Sequence, residues 1–99
     1  MNVILFCASG YSSRMLIGSL RKYCYENHID LQFASNPISE FEEEINTDYD
    51  LILMAPQIQY KYEDIAKRAT IPIICIQAFD YAVGNAENIV KLIQEKIFV

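Results

Sequence analysis

Cys7 closes an apolar run, Asn2 to Cys7, and is followed by Ala8, Ser9, Gly10, Tyr11, Ser12 and Ser13, mostly small or hydroxyl-bearing residues. A strand end, a glycine-containing loop and a helix start in succession make a place for an anion. The first N–H groups of a helix have no partner inside it, and the macrodipole adds partial positive charge there. Gly10 lets the backbone turn left-handed and come close to a ligand. Ser9, Ser12 and Ser13 add hydroxyl donors without bulk. The same field stabilises a thiolate, which makes Cys7 a nucleophile. A thiolate wrapped in an anion cradle is built to receive a phosphoryl group and hold it as a cysteinyl thiophosphate. A strand-end cysteine alone is more often a small packing residue, so the reading depends on the loop that follows it.

Other phosphate chemistries fit less well. The chain has no G-x-x-x-x-G-K-[ST], and Gly10 and Gly18 do not make a G-x-G-x-x-G. A phospho-acceptor aspartate needs an acidic cluster at the strand ends, and the first strand offers none. A cysteine phosphatase loop, C-x5-R, uses its arginine as a fork on the phosphate. Here six residues separate Cys7 from Arg14, and one extra residue turns a helical side chain by about 100°. There is also no Asp-Pro pair to carry a general acid for a leaving alcohol.

The remaining polar and thiol residues divide into weaker candidates and packing groups. Cys24 falls on the apolar face of the first helix and Cys75 inside the fourth strand, where packing is the expected role. Three cysteines without a C-x-x-C pair, and one histidine, argue against a disulfide framework or a metal site. His28 ends a helix, where partial positive charge is welcome. Glu40, Glu42, Glu43 and Glu44 read as a solvated helix face, with partner docking as the alternative. Arg14 is a candidate for phosphate or partner contact, beside the simpler reading of a surface arginine. Gln57 and Tyr60 follow the third strand on the rim that carries Cys7, which suggests partner recognition. Tyr81 is placed similarly.

These residues need a frame to hold them. Asn2–Cys7 is apolar throughout, as expected of a strand buried on both faces. Ser12 or Ser13 caps a first helix with Leu16, Leu20, Tyr23 and Cys24 on one face, fading near His28. Leu31–Ala34 is a short second strand, and Asn36-Pro37 is a turn signal. Ser39 with Glu42 makes a capping box for a short helix holding Ile38, Phe41 and Ile45. Asp50–Ala55 is a third strand closed by Pro56. Tyr62, Ile65, Ala66 and Ala69 share a face of a further helix, and Pro72–Ile76 is the fourth strand. Asn85 precedes a last helix with Ile89, Val90, Ile93 and Ile97 inward.

Strands alternating with helices predict an α/β protein, a three-layer α/β/α sandwich on a four-stranded parallel sheet of order 2-1-3-4. Ligands bind beyond the carboxyl ends of such strands, at the switch point of the strand order. Cys7 is the last residue of the strand expected there. The 99 residues suit a single domain, 1–99. No uncharged apolar run approaches a membrane span, and the N-terminus lacks the features of a signal peptide. A cytoplasmic setting without direct membrane insertion is the expectation. A net charge of −5 argues against nucleic acid as a partner.

Three stretches resemble one family. LFCASGYSSRML (5–16) is similar to the phosphorylation loop of the IIB components of the bacterial sugar phosphotransferase system, lactose/cellobiose (N,N′-diacetylchitobiose) class. LILMAPQIQY (51–60) is similar to that family's strand followed by Gly-Pro-Gln-Ile. AFDYAVGNAENIVK (78–91) is similar to its last loop, with a tyrosine before the final helix. The resemblance spans the chain in length and element order, and implies a fold like that of the low-molecular-weight tyrosine phosphatases. It implies that Cys7 is the phosphorylated residue and that Ala8–Ser13 hold the phosphate. It implies a phosphohistidine donor on a IIA carrier, and onward transfer to a sugar held by a membrane IIC permease, with no cofactor. The chain departs from the family pattern at Ala55, where glycine is usual, and at Arg14, where a small or hydroxyl residue is common. Gln77 and Ala82 replace the usual aspartate and glycine around Tyr81. The rival readings are a tyrosine-phosphatase-like hydrolase using Cys7 and a non-catalytic α/β interaction module.

Overall fold

The apolar run at the start of the chain forms β1 (Asn2–Cys7), an inner strand of the sheet, in the computed structural model, which describes residues 1–8, 13–41 and 49–97. The other elements are α1 (Ser13–Glu26), β2 (Gln32–Pro37), β3 (Leu51–Met54), α2 (Tyr62–Arg68), β4 (Ile73–Cys75), α3 (Ala78–Val83) and α4 (Ala86–Ile97). A 3₁₀ turn covers Ile38–Glu40, and Pro56–Lys61 is 3₁₀ with a kink at Ile58. The strand order is β2-β1-β3-β4, with every neighbouring pair parallel, as the sequence predicts.

Burial on both faces of β1 and β3 explains their uninterrupted apolar composition. Val3, Leu5, Leu51 and Leu53 pack with Leu16 and Leu20 of α1 and Ile89, Val90 and Ile93 of α4. Ile4, Phe6, Ile52 and Met54 face the other way, onto Phe41, Ile58 and Ile65. Each such aliphatic side chain contributes about 1.5–3 kcal/mol when fully buried. The register sets Cys7 beside Pro37 of β2 and Phe6 beside Met54 of β3. Among the described residues no helix is long and apolar enough to cross a membrane.

Several local expectations are corrected. β2 begins and ends later than Leu31–Ala34, and Asn36-Pro37 continues the strand instead of turning. An edge strand tolerates proline at its end because the missing N–H costs no ladder bond on the open side. The 3₁₀ turn that follows is preceded by Pro37 and has no side-chain cap; Glu42 and Ile45 of the expected capping box and helix lie outside the described residues. In α2 only Ile65 is buried, Ala69 is half-buried, and Tyr62 and Ala66 are exposed. β3 and β4 are shorter at both ends than Asp50–Ala55 and Pro72–Ile76. The helix α3 occupies what reads in sequence as a loop. The start of α4 follows expectation: the Asn85 side-chain oxygen accepts from the Asn88 N–H at 3.2 Å, a helix N-cap.

Candidate functional site

At the carboxyl end of β1 the sheet branches, with β2 on one side and β3 on the other, and Cys7 is the residue at that branch. The Ala55 N–H donates to the Phe6 carbonyl at 3.0 Å, extending the β1–β3 junction to the next residue. Cys7 is fully buried, not at the surface. Its Sγ lies 3.4 Å from Ser13 Oγ and 3.8 Å from the carbonyl oxygen of Asn36. Ser13, the first residue of α1, is also fully buried, and its Oγ is hydrogen-bonded to Ser35 Oγ on β2. Of the expected phosphate loop, Ala8 and Ser13 are described; Ser9, Gly10, Tyr11 and Ser12 lie outside the described residues. Ala8 is exposed. Ser13 brings its hydroxyl to the Cys7 sulfur itself, a contact the sequence does not distinguish from phosphate binding.

Beside the junction a cleft of about 680 Å³ opens between the first turns of α1, the Pro56-Gln57 step after β3, and α3. Met15, Ser19, Gln57, Tyr81 and Val83 are among the residues that line it. Gln57 and Tyr81, singled out separately in the sequence, thus share one wall system. Tyr60 does not line the cleft. It is 79% exposed and borders a different hollow, with Tyr62 and Cys75. Arg14 is exposed on the first turn of α1. The positions that depart from the family pattern divide: Ala55 is buried, Ala82 lines the cleft, and the Gln77 carbonyl accepts the Tyr81 N–H at 3.0 Å.

The other thiols differ in kind. Burial pushes the Cys24 thiol up from its ordinary value, and does the same to Cys75, which keeps both protonated and unreactive at neutral pH. Cys24 sits in the core under α1, and Cys75 is half-buried at the end of β4.

Two residues near the rim escape sequence reasoning. Ser35 lies 22 positions from the serine it bonds, so only strand pairing reveals it. Asp80 is buried in α3 and accepts from Asn88 Nδ2 at 2.6 Å and Asn85 Nδ2 at 3.4 Å. The cluster of one aspartate and two asparagines within nine residues was the available signal.

A family model described as the lactose/cellobiose-specific IIB subunit of the PTS system matches residues 2–92. The lactose-specific EIICB component of Staphylococcus aureus is 36% identical over 64 residues, covering 65% of this chain and 11% of that protein. Its counterpart in Staphylococcus haemolyticus is 32% identical over 83 residues, 81% of this chain and 14% of that protein. The chain therefore spans a small part of the length of these relatives. Among solved structures, the cellobiose-specific phosphotransferase IIB component of Borrelia burgdorferi superposes with a TM-score of 0.77 at 30% identity, covering 93% of this chain and 86% of that one. The lactose-specific IIB domain of Streptococcus pneumoniae gives a TM-score of 0.73 at 19% identity, covering 92% and 95%, a likeness of fold. With its model matched from the first strand into the last helix, the chain belongs to the lactose/cellobiose-specific IIB family of the sugar phosphotransferase system, a family of phosphotransferases.

Proposed function

We propose that residues 1–99 act as a single cytoplasmic IIB phosphocarrier domain, with Cys7 as the residue that is phosphorylated. The observation that carries this reading is the position of Cys7: at the sheet's branch point, ahead of α1, with a serine hydroxyl on its sulfur. The donor is a phosphohistidine on a IIA carrier. The Cys7 thiol loses its proton to solvent, and the sulfur attacks phosphorus. The S–P bond forms as the P–N bond breaks, and that electron pair returns to the imidazole nitrogen, which takes up a proton from solvent. In the second step a hydroxyl of the sugar, held by a membrane IIC permease, attacks the same phosphorus and gives up its proton. The S–P bond then breaks and its electron pair returns to sulfur. The class of sugar is that of the family, the lactose and cellobiose type.

Such transfers depend on positioning and on stabilising the phosphoryl charge, which backbone N–H groups and hydroxyls provide, so the chemistry asks for no cofactor. To the segment Ala8, Ser9, Gly10, Tyr11, Ser12 and Ser13 we assign the holding of the phosphoryl oxygens. To Gln57 and Tyr81, which line one cleft, we assign contact with a partner, together with Arg14 on the first turn of α1.

The test is transfer from a phosphorylated IIA protein of the lactose/cellobiose class, read by intact mass. Wild type, Cys24→Ser and Cys75→Ser are expected to gain one phosphoryl group. Cys7→Ser is expected to gain none, because a serine hydroxyl stays protonated where a thiol ionises. Labelling of Cys7→Ser at the wild-type rate, or mapping of the label to another residue, overturns the assignment.

A further inference from the structure

Hydrogen counting around Cys7 gives its neighbours a direction. The thiol has one hydrogen, and Sγ directs it to the Asn36 carbonyl oxygen at 3.8 Å. That leaves sulfur as an acceptor for the Ser13 hydroxyl at 3.4 Å. A serine hydroxyl also has one hydrogen. Ser13 has spent it on sulfur, so in its bond with Ser35 Ser13 is the acceptor and Ser35 the donor. Once Cys7 ionises, sulfur can only accept, the carbonyl of Asn36 no longer bonds to it, and the bond from Ser13 becomes charge-assisted. With Ser13 donating to the thiolate, its oxygen is left to accept from Ser35, and the chain runs from Ser35 to Ser13 to Cys7.

The fold supplies the geometry. Ser35 is two residues beyond Phe33 and shares its face of β2, the face that α1 covers. It is half-buried on an edge strand and pairs with Leu5 of β1. Ser13 is fully buried at the start of α1. The three elements that meet at the switch point, β1, α1 and β2, are thus joined by one line of hydroxyl and thiol groups. The nearest β2 residues, Ser35, Asn36 and Pro37, carry no charge, so β2 acts on the sulfur through dipoles alone.

Resting on the carrier assignment above, we propose that Ser35 is a positioning residue for the phosphoryl-accepting thiolate: its hydroxyl fixes the Ser13 hydroxyl as a donor to Cys7. Ser35 need not touch the phosphoryl group. Without it the Ser13 hydroxyl is free to rotate, and the bond to sulfur is lost for part of the time. The thiolate is then less stabilised, and transfer to it slows.

The experiment uses the Ser35→Thr and Ser35→Val pair, which have the same shape and differ by a hydroxyl. Alkylation of Cys7 by iodoacetamide is followed across pH and resolved from Cys24 and Cys75 by peptide mass mapping. A purely structural role for Ser35 changes access to the thiol, and so the high-pH plateau, without moving the midpoint. The hydroxyl chain instead moves the midpoint to higher pH in Ser35→Val, while Ser35→Thr keeps the wild-type midpoint. Acceptance from phosphorylated IIA at neutral pH is expected to fall roughly two- to tenfold in Ser35→Val, the scale of one net hydrogen bond, and to be retained in Ser35→Thr. Where Ser35→Val does not fold, Ser35→Ala gives the same readout. Coincident midpoints for wild type and the hydroxyl-free variant, or equal shifts for Thr and Val, overturn the proposal. The alkylation profile needs no phosphoryl donor. An unmoved midpoint therefore leaves the carrier assignment standing, whereas a labelled Cys7→Ser removes that assignment whatever the profile shows.

Discussion

His28 has φ 56, a left-handed conformation that glycine adopts at far lower cost. The reason is the way α1 stops. The Ile29 N–H reaches back to the Cys24 carbonyl at 2.9 Å and the His28 N–H to the Tyr25 carbonyl at 3.4 Å, the bond pair of a Schellman ending. α3 ends in the same way, with the Asn85 N–H on the Asp80 carbonyl at 2.9 Å, but there the left-handed position is filled by Gly84, φ 65. The sequence marks His28 as a helix end and suggests a charge effect; the structure gives a backbone role. His28→Gly relieves roughly 1–2 kcal/mol of left-handed strain and gives back about 0.5–1 kcal/mol through the freer unfolded chain. A rise of a few degrees in melting temperature is expected, and a fall of a few degrees for Gly84→Ala. A drop in His28→Gly would show that the histidine side chain, not the backbone, holds that end. The place of Cys7 at the end of β1 was legible from one apolar run. Ser35 was not, because its partner is distant in sequence and a lone serine in a strand carries no signal.

Elements with a full apolar period were the ones the sequence located well. β1 matches its expected range. Leu16, Leu20 and Cys24 of α1 and Ile89, Val90 and Ile93 of α4 are buried as the helical spacing selects, with Tyr23 and Ile97 half-buried and Ile17 and Ala86 buried besides. The misplaced elements are short or lie at the margin. α2 runs beside β4, a three-residue strand whose residues are all half-buried, so there is little sheet for a full helical face to cover. α3 has six residues, too few to display a periodic face; Tyr81 packs on the core, and a polar tie is added to that. Asp80 ties it to the loop and first turn of α4 through Asn85 and Asn88. That tie also holds Tyr81, Ala82 and Val83 on the wall of the cleft. Asp80→Ala leaves the two amides without their buried acceptor and is expected to cost about 1–3 kcal/mol, read as a lower urea midpoint. Because the residues act as one unit, Asp80→Ala with Asn88→Ala should cost less than the sum of the two. Strict additivity would mean that α3 is held by its apolar contacts alone.

At the scale of the molecule, strand order and layering were legible because both faces of the parallel strands are covered, and that coverage is written as apolar runs. The scaffold does not by itself choose between carrying a phosphoryl group and hydrolysing it, since one fold hosts many chemistries. The site makes the choice. Hydrolysis through a cysteine loop needs an arginine fork on the phosphate and an acid for the leaving group. Ser13 turns its side chain inward to the sulfur, and the next residue of a helix points about 100° away. Arg14 stands exposed on the first turn of α1, a position open to an approaching partner in the carrier reading proposed above. In the carrier reading proposed above, a phosphocysteine served by neither a fork nor an acid waits for its acceptor instead of losing phosphate to water. The purified protein is therefore expected to hydrolyse p-nitrophenyl phosphate no faster than buffer, and Arg14→Ala to leave that background unchanged. Turnover that requires both Cys7 and Arg14 would make the protein a phosphatase and overturn the carrier reading.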